Sequence, residues 1–334
     1  MREFDIAKMF DHKNVLITGG LGFIGSTVAR YLVQKSSARI VLVDSLIPDY
    51  GGNLFNINGI EERMHVNIAD VRDENTMNNI VKKQDVIFNL AGTSSHVDSM
   101  KDPFTDLDIN CRSQLSILEA CRKHNPNVKI VFSGTRGEYG RADYLPVDEK
   151  HPLHPTDVNG INNMAGEWYH ILYNNVYDIR ATSLRLTNTY GPRHQMKHSK
   201  QGFLNWFIRL AMEDKEIPIY GDGAQKRDFN FVDDVAMALM IAAADDKANG
   251  RIYNLGTLEP VSVADIARMI IKELGQGRIK FVPFPEDKKR IEIWDFYSDY
   301  GKIKDELGWK PSTSLARGLK DTIRFYKNNK EHYW

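Results

Sequence analysis

Long hydrophobic runs, an excess of either charge, and more than a pair of cysteines are all missing from this chain of 334 residues. Lysine plus arginine and aspartate plus glutamate stand at 44 each, so no global field draws the protein to nucleic acid or to an anionic membrane. No apolar run approaches the roughly 20 residues that cross a bilayer. Residues 1–12 are mixed and charged, without the apolar centre of a signal peptide. Cys111 and Cys121 fall ten residues apart in one expected helix, a spacing poor for a disulfide or a zinc site. They read as reduced, partly buried thiols. Repeats, low-complexity tracts and Ser/Gly linkers are absent too. These absences leave a soluble cytoplasmic chain without a metal site, long enough to bury one large α/β unit or two lobes.

What is present begins with Val15-Leu16-Ile17-Thr18-Gly19-Gly20-Leu21-Gly22-Phe23-Ile24-Gly25. An apolar, β-branched run stops at glycines, and residues 26–32 then follow a helical pattern. Gly19, Gly22 and Gly25 stand three apart, a spacing that lets a strand turn sharply into a helix. Backbone N–H groups can then approach a diphosphate at the helix N-terminus. A second strand, 39–44, ends in Asp44, about twenty residues past the glycines, where an acid accepts hydrogen bonds from the adenosine ribose hydroxyls. A carboxylate there repels a 2′-phosphate, which favours NAD over NADP. This stretch is expected to bind a dinucleotide.

Strand and helix patterns then alternate, which implies a Rossmann-type parallel sheet with helices on both faces. Strands are expected at 64–70, 85–92, 128–133 and 181–186, and helices at 73–83, 103–123 and 161–177. After Gly191 the chain becomes richer in proline and glycine, with shorter helices at 203–212 and 263–274. A strand pattern at 251–256 suggests a return to the first lobe. The expected organisation is an NAD-binding domain over 1–190 with a return near 229–257, and a smaller, interleaved substrate lobe over 191–334. The cleft should lie at the carboxyl ends of the strands.

Several blocks in this order resemble the extended short-chain dehydrogenases, in their NAD-dependent nucleotide-sugar epimerase/dehydratase branch. The glycine turn, Asp44 and Asp70-Val71 resemble that family's cofactor signature. Asn89-Leu90-Ala91-Gly92 is similar to its strand end along the dinucleotide, and Asn110 to its helix brace. The resemblance implies that Gly19, Gly22, Phe23, Ile24, Gly25, Asp44, Asp70, Val71, Leu90, Ala91, Gly92 and Asn110 hold NAD. Thr187-Asn188-Thr189-Tyr190-Gly191-Pro192-Arg193 resembles the substrate turn, with Asn188 toward a sugar diphosphate. Tyr220-Gly221-Asp222-Gly223-Ala224-Gln225-Lys226-Arg227-Asp228 resembles the loop whose arginine grips that diphosphate. Arg227 and Arg290 have the planar fork that binds phosphate oxygens bidentately. The family likeness also implies a homodimer, paired through the helices at 103–123 and 161–177.

The likeness breaks at the proton relay. Thr135, four residues before Tyr139, stands where the family holds the reacting sugar hydroxyl. The Tyr-x-x-x-Lys pair that should follow reads Asn159 and Asn163, and no tyrosine between Tyr139 and Tyr190 has a lysine four residues on. Carboxamides do not titrate in water, so neither asparagine is a general base. A replacement base could come from His96, Asp98, Glu138, Tyr190 or His194, and His96 and Glu138 are the foremost. Alternatively the protein binds a nucleotide sugar and NAD without turnover, or its chemistry needs no strong base. Arg136-Gly137 replaces the Asp-Glu pair of the family's 4,6-dehydratases, which disfavours elimination. Thr135-x-Gly137-Glu138-Tyr139-Gly140 is nearer to the sulfolipid-sugar synthases. The reading with fewest added groups is oxidation at C4 of a nucleoside-diphosphate sugar through a 4-keto intermediate, as in a 4-epimerase.

Overall fold

A computed structural model describes residues 3–257 and 259–334. The first six strands are β1 (Asn14–Thr18), β2 (Arg39–Asp44), β3 (Met64–Ile68), β4 (Val86–Asn89), β5 (Lys129–Thr135) and β6 (Arg180–Leu186). Then come β7 (Asn188–Tyr190), β8 (Glu216–Tyr220), β9 (Lys226–Arg227), β10 (Phe229–Phe231), β11 (Ile252–Asn254), β12 (Val261–Ser262) and β13 (Arg278–Val282). Seven of them form one parallel sheet in the order β11-β6-β5-β4-β1-β2-β3. The α/β expectation therefore holds. Val15, Leu16, Ile17, Ile87, Phe88, Ile130 and Val131 are buried, as strands covered on both faces require.

The order runs outward in both directions from β1 and β4, so their carboxyl ends diverge and open a crevice. Thr18, the last residue of β1, fastens this point. Its hydroxyl donates to Asn89 Oδ1 at 2.9 Å and accepts the N–H groups of Leu90 and Ala91 at 3.0 and 3.1 Å. The chain leaves β4 in a fixed direction as a result.

Residues after Gly191 build a second hydrophobic core. The helices Phe203–Met212, Val263–Leu274 and Leu315–Asn329 pack there with β8 and β13, which are parallel to each other. Between the two cores the chain returns to the large sheet as β11, which pairs with β6. Among the described residues, no helix is long and apolar enough to cross a membrane.

Three elements differ from the sequence pattern in ways that shape the site. The expected helix 103–123 has a π-helical turn at Asp108–Arg112 between helices Pro103–Leu107 and Ser113–His124. The expected helix 161–177 begins earlier, at Val158, because Asp157 caps it by accepting the Gly160 N–H at 2.8 Å. His96, in a stretch with no helix expected from the sequence, opens the helix His96–Lys101, capped by Ser95.

A buried imidazole ties the sheet to the Val158 helix. His170 donates from Nδ1 to the Gly166 carbonyl at 2.7 Å, accepts at Nε2 from Asn89 at 3.2 Å, and stacks on Phe132. Burial pulls it down to about 4. The unfolded chain therefore binds this proton first, at an ordinary value of about 6.5. The stabilisation is complete above that value and is lost as pH falls through about 4, up to roughly 3 kcal/mol. Urea unfolding of the parent and of His170→Gln should show a shallower acid loss for the variant in this window. Equal slopes would remove His170 as the cause.

Candidate active site

The crevice at the carboxyl end of the sheet is a cleft of about 890 Å³, at the upper end of the ~300–1,000 Å³ of small-molecule sites. Its floor is the turn from β1 into the helix Phe23–Lys35. Gly19 takes φ +64°, and a Cβ on Gly25 would stand 2.3 Å from the Gly19 carbonyl oxygen. Only glycine lets the helix N-terminus approach this closely. Phe23 and Ile24 also line the floor.

Asp44 stands at one end, with its carboxylate accepting the N–H groups of Leu21 and Leu46 at 3.1 and 3.0 Å. Burial lifts its carboxyl, and those two N–H groups pull the other way. Asp70 and Val71 line the same end, with the Asp70 carboxylate held by Arg72 at 2.6 Å. Leu90, Ala91 and Gly92 form the wall beyond β4. Asn110 reaches it from the π-helical turn, accepting the Thr93 N–H at 2.9 Å and donating to Thr93 Oγ1 at 2.7 Å. A glycine floor at a helix N-terminus, with a fixed carboxylate where the ribose would lie, fits a dinucleotide.

At the opposite end the asparagines form a hydrogen-bonded cluster. Asn159 Nδ2 donates to the Thr93 carbonyl at 2.8 Å and to Asp106 Oδ2 at 3.0 Å. Asn163 Nδ2 donates to the Asn159 carbonyl at 2.9 Å and to its Oδ1 at 3.3 Å. Asp106 is 3% exposed and takes further bonds from Thr93 Oγ1 and Asn162 Nδ2, both at 2.8 Å. Both Asn159 donors are thus spent on the protein. Its Oδ1 faces Asn163 and the cleft as an acceptor.

Thr135 ends β5. Its Oγ1 accepts the Gly137 N–H at 3.1 Å, which leaves the hydroxyl proton free to donate. Across Gly137 stands His96: a Cβ on that glycine would be 3.3 Å from His96 Cε1 and 3.5 Å from Thr135 Oγ1. His96 Nδ1 lies 2.7 Å from Asp157 Oδ2. Burial raises the Asp157 carboxyl, but the bond from His96, its charge and the Gly160 N–H together hold it below the usual value. The Asp157 carboxylate selects the Nδ1–H tautomer and leaves Nε2 as the basic nitrogen.

Two sequence-based candidates fall outside this arrangement. Glu138 is fully buried and points away from the cleft. Its Oε1 accepts the Thr135 N–H at 2.9 Å, and Oε2 lies 3.3 Å from Arg185 Nε. Burial, then the charge of Glu167, push it well above the carboxylate range, and its place off the cleft puts it out of reach of a substrate. Glu138 is a structural acid. Arg290 is exposed and does not line the cleft; from the same helix, Glu286–Ile291, Lys288 does, donating to Tyr220 OH at 3.0 Å. Arg227 and Asn188 do line the cleft. Arg227 pairs with Glu292, and Asn188 Nδ2 donates to the Asp228 carbonyl at 3.0 Å.

Sequence reasoning passed over Asp157, Asp106 and Arg136 as site residues. An aspartate two residues after a proline and just before a helical run is an N-cap signature, which would have marked Asp157. No local pattern marks Asp106.

A seven-stranded parallel sheet with a glycine-floored crevice that fits a dinucleotide is the build of an extended short-chain dehydrogenase. The family model described as GDP-mannose 4,6 dehydratase matches residues 16–322. The chain belongs to that family of nucleotide-sugar epimerases and dehydratases. A putative UDP-glucose 4-epimerase of Methanocaldococcus jannaschii is 36% identical over 319 residues, covering 94% of this chain and 99% of that one. The UDP-glucose 4-epimerase of Thermotoga maritima, solved with UDP-glucose, superposes with a TM-score of 0.87 at 29% identity, covering 95% and 99%. That of Thermus thermophilus, solved as a complex with NAD, gives 0.84 at 25% identity, covering 94% and 99%. The expected cofactor agrees with this last structure.

Asp44 gives a direct test of cofactor choice. Asp44→Ala should raise the dissociation constant for NAD about tenfold or more, the worth of hydrogen bonds to a charged acceptor. Adding Ser45→Arg should turn the preference toward NADP, read by fluorescence titration of both cofactors. Equal affinity of the parent for NAD and NADP would refute the assignment.

Proposed function

We propose that this protein is an NAD-dependent enzyme that oxidises C4 of a nucleoside-diphosphate sugar to a 4-keto intermediate, most simply as a 4-epimerase. In this reading His96, oriented by Asp157, replaces the missing tyrosine as base. The observation that carries it is the 2.7 Å His96–Asp157 contact at the wall of the cleft, beside Thr135. Thr135 donates to the reacting sugar oxygen, and Asn159 Oδ1 accepts from a sugar hydroxyl. His96 Nε2 takes the hydroxyl proton, while Asp157 stabilises the imidazolium that forms. The same nitrogen returns the proton when the ketone is reduced. NAD, when bound along the glycine floor, supplies reversible hydride acceptance. Arg227 and Asn188 are assigned to the diphosphate. The unpaired thiols of Cys111 and Cys121 support a reducing, cytoplasmic setting.

Single-turnover mixing of the NAD-loaded protein with a panel of nucleotide sugars tests this reading. Absorbance should appear in the reduced-nicotinamide band, and His96→Ala should slow it about 10²- to 10⁴-fold, the share of a positioned general base. Sugar binding without reduction would favour a non-catalytic binder that retains NAD. Unchanged turnover in His96→Ala would dismiss the histidine.

A homodimer is part of the same proposal. On the helix Val158–Tyr177, Ile161, Trp168, Leu172 and Val176 lie exposed on one face, and Phe104 and Leu107 are exposed on the helix Pro103–Leu107 packed beside it. A contiguous apolar surface of this kind supports an isologous contact. Sedimentation should show a dimer that Trp168→Glu with Leu172→Glu converts to monomer. A parent that stays monomeric at every concentration would reject it.

A further inference from the structure

Arg136 has no role in the chemistry above, yet it lines the cleft immediately after Thr135. Its guanidinium is held from two sides. Nη2 donates to Asn188 Oδ1 at 3.3 Å, and the group lies over the Phe296 ring at 5.5 Å. Nη1 is buried and has no hydrogen-bond partner among the described residues. Two of the surrounding acids are committed elsewhere, and the third, Asp228, acts on Arg136 through its charge while its Oδ1 stays buried without a hydrogen-bond partner among the described residues. Asp157 binds His96, and Glu292 binds Arg227. Asp228 Oδ2 accepts the N–H groups of Ser298 and Thr257 at 3.1 and 3.4 Å. Burial, followed by the charge of nearby Arg227, pulls Arg136 down to about 10, so it remains a cation at neutral pH. Asp228, Glu292 and Asp157 offset its charge from a distance, but among the described residues none of them pairs with it in direct contact, the place an anionic ligand group would take.

We propose that Arg136 reads an acidic substituent, a carboxylate or sulfonate, on the sugar of the nucleotide-sugar substrate. This rests on the nucleotide-sugar reading above. Arg136 follows Thr135 in the chain and its guanidinium rests against Asn188, so it stands between the residue assigned to the sugar and one assigned to the diphosphate, within reach of a substituent on the sugar ring. The planar fork, with Nη1 unspent, matches two oxygens of one anionic group. The substrate class is thereby a nucleoside-diphosphate sugar acid.

Calorimetric titration of the NAD-loaded protein with UDP, UDP-glucose and UDP-glucuronate tests the proposal. The parent should bind UDP-glucuronate at least about tenfold more tightly than UDP-glucose, the scale of one charge-assisted contact. Arg136→Met should bring that ratio to about one and leave UDP affinity unchanged. Arg136→Lys, which keeps the charge but not the fork, should hold an intermediate ratio and guards against a folding defect in the methionine variant. Equal binding of the acidic and neutral sugars by the parent overturns the proposal while leaving the nucleotide-sugar reading intact. A uniform loss of UDP and both sugars in Arg136→Met assigns the arginine to the diphosphate and likewise overturns it. Failure of all three ligands to bind the parent fells the nucleotide-sugar reading, and this proposal with it.

Discussion

Arg185 sits 3% exposed between two carboxylates, Glu167 from the Val158 helix and Glu138 from the turn after β5. A guanidinium so placed is tolerable only while both acids and their other bonds stay in position. Burial and the second carboxylate push Glu138 well above the usual carboxylate range, which opposes a second full negative charge beside Glu167. Among the described residues Glu138 Oε2 has only its ion contact with Arg185, and the other groups are bonded locally. Ser183 donates to Glu167 at 2.7 Å, and Arg185 Nη1 donates to Tyr139 OH, which in turn donates to Asn254 on β11, each at 2.7 Å. One side chain thereby locks β5, β6, β11 and the long helix into a single geometry. Thr135 inherits its position from this cluster, because its own N–H is bound to Glu138. Removing one partner from a buried ion pair costs about 3–5 kcal/mol, so the cluster fixes the reacting end of the cleft more strictly than any loop contact does.

The helix Val158–Tyr177 joins this cluster to the rest of the site. At its cap and in its first two turns stand Asp157, Asn159 and Asn163, and one and two turns further on are Glu167 and His170. A Cβ on Gly160 would stand 2.6 Å from the Gly137 carbonyl oxygen, so the helix starts hard against the turn that follows Thr135. His96 meets Asp157 there. The site is an abutment of a capped helix on a strand end, and Thr135, Asn159 and Asn163 stand on those two elements rather than on loops.

The large sheet was readable because buried parallel strands are continuous apolar runs and the glycine turn has a spacing with a mechanical cause. Strand ends proved shorter than their apolar patterns, as at β4, where Leu90-Ala91-Gly92 has the composition of a strand but serves as the wall of the cleft. The π-helical turn at Asp108–Arg112 was invisible, since its residues fit an unbroken helix equally well. Site residues divided by the range of their interactions. Asp44 follows the glycines in one local unit and could be read from spacing. His96 and Asp157 are 61 positions apart, and only the fold brings them together. Glu138 showed the opposite limit. Its place beside Thr135 suggested chemistry, but the alternation of side chains along the turn sends it into the core, toward Arg185.

Asp106 constrains what the site can hold. Among the described residues it is a buried carboxylate without a paired cation, and its hydrogen bonds come from Thr93, Asn159 and Asn162. A lineage that exchanged Asn159 for tyrosine in one step would take a donor from that carboxylate and leave it poorly matched. Position 159 is therefore coupled to position 106: a side chain placed at 159 is judged by the carboxylate it must still satisfy as well as by the ligand it faces.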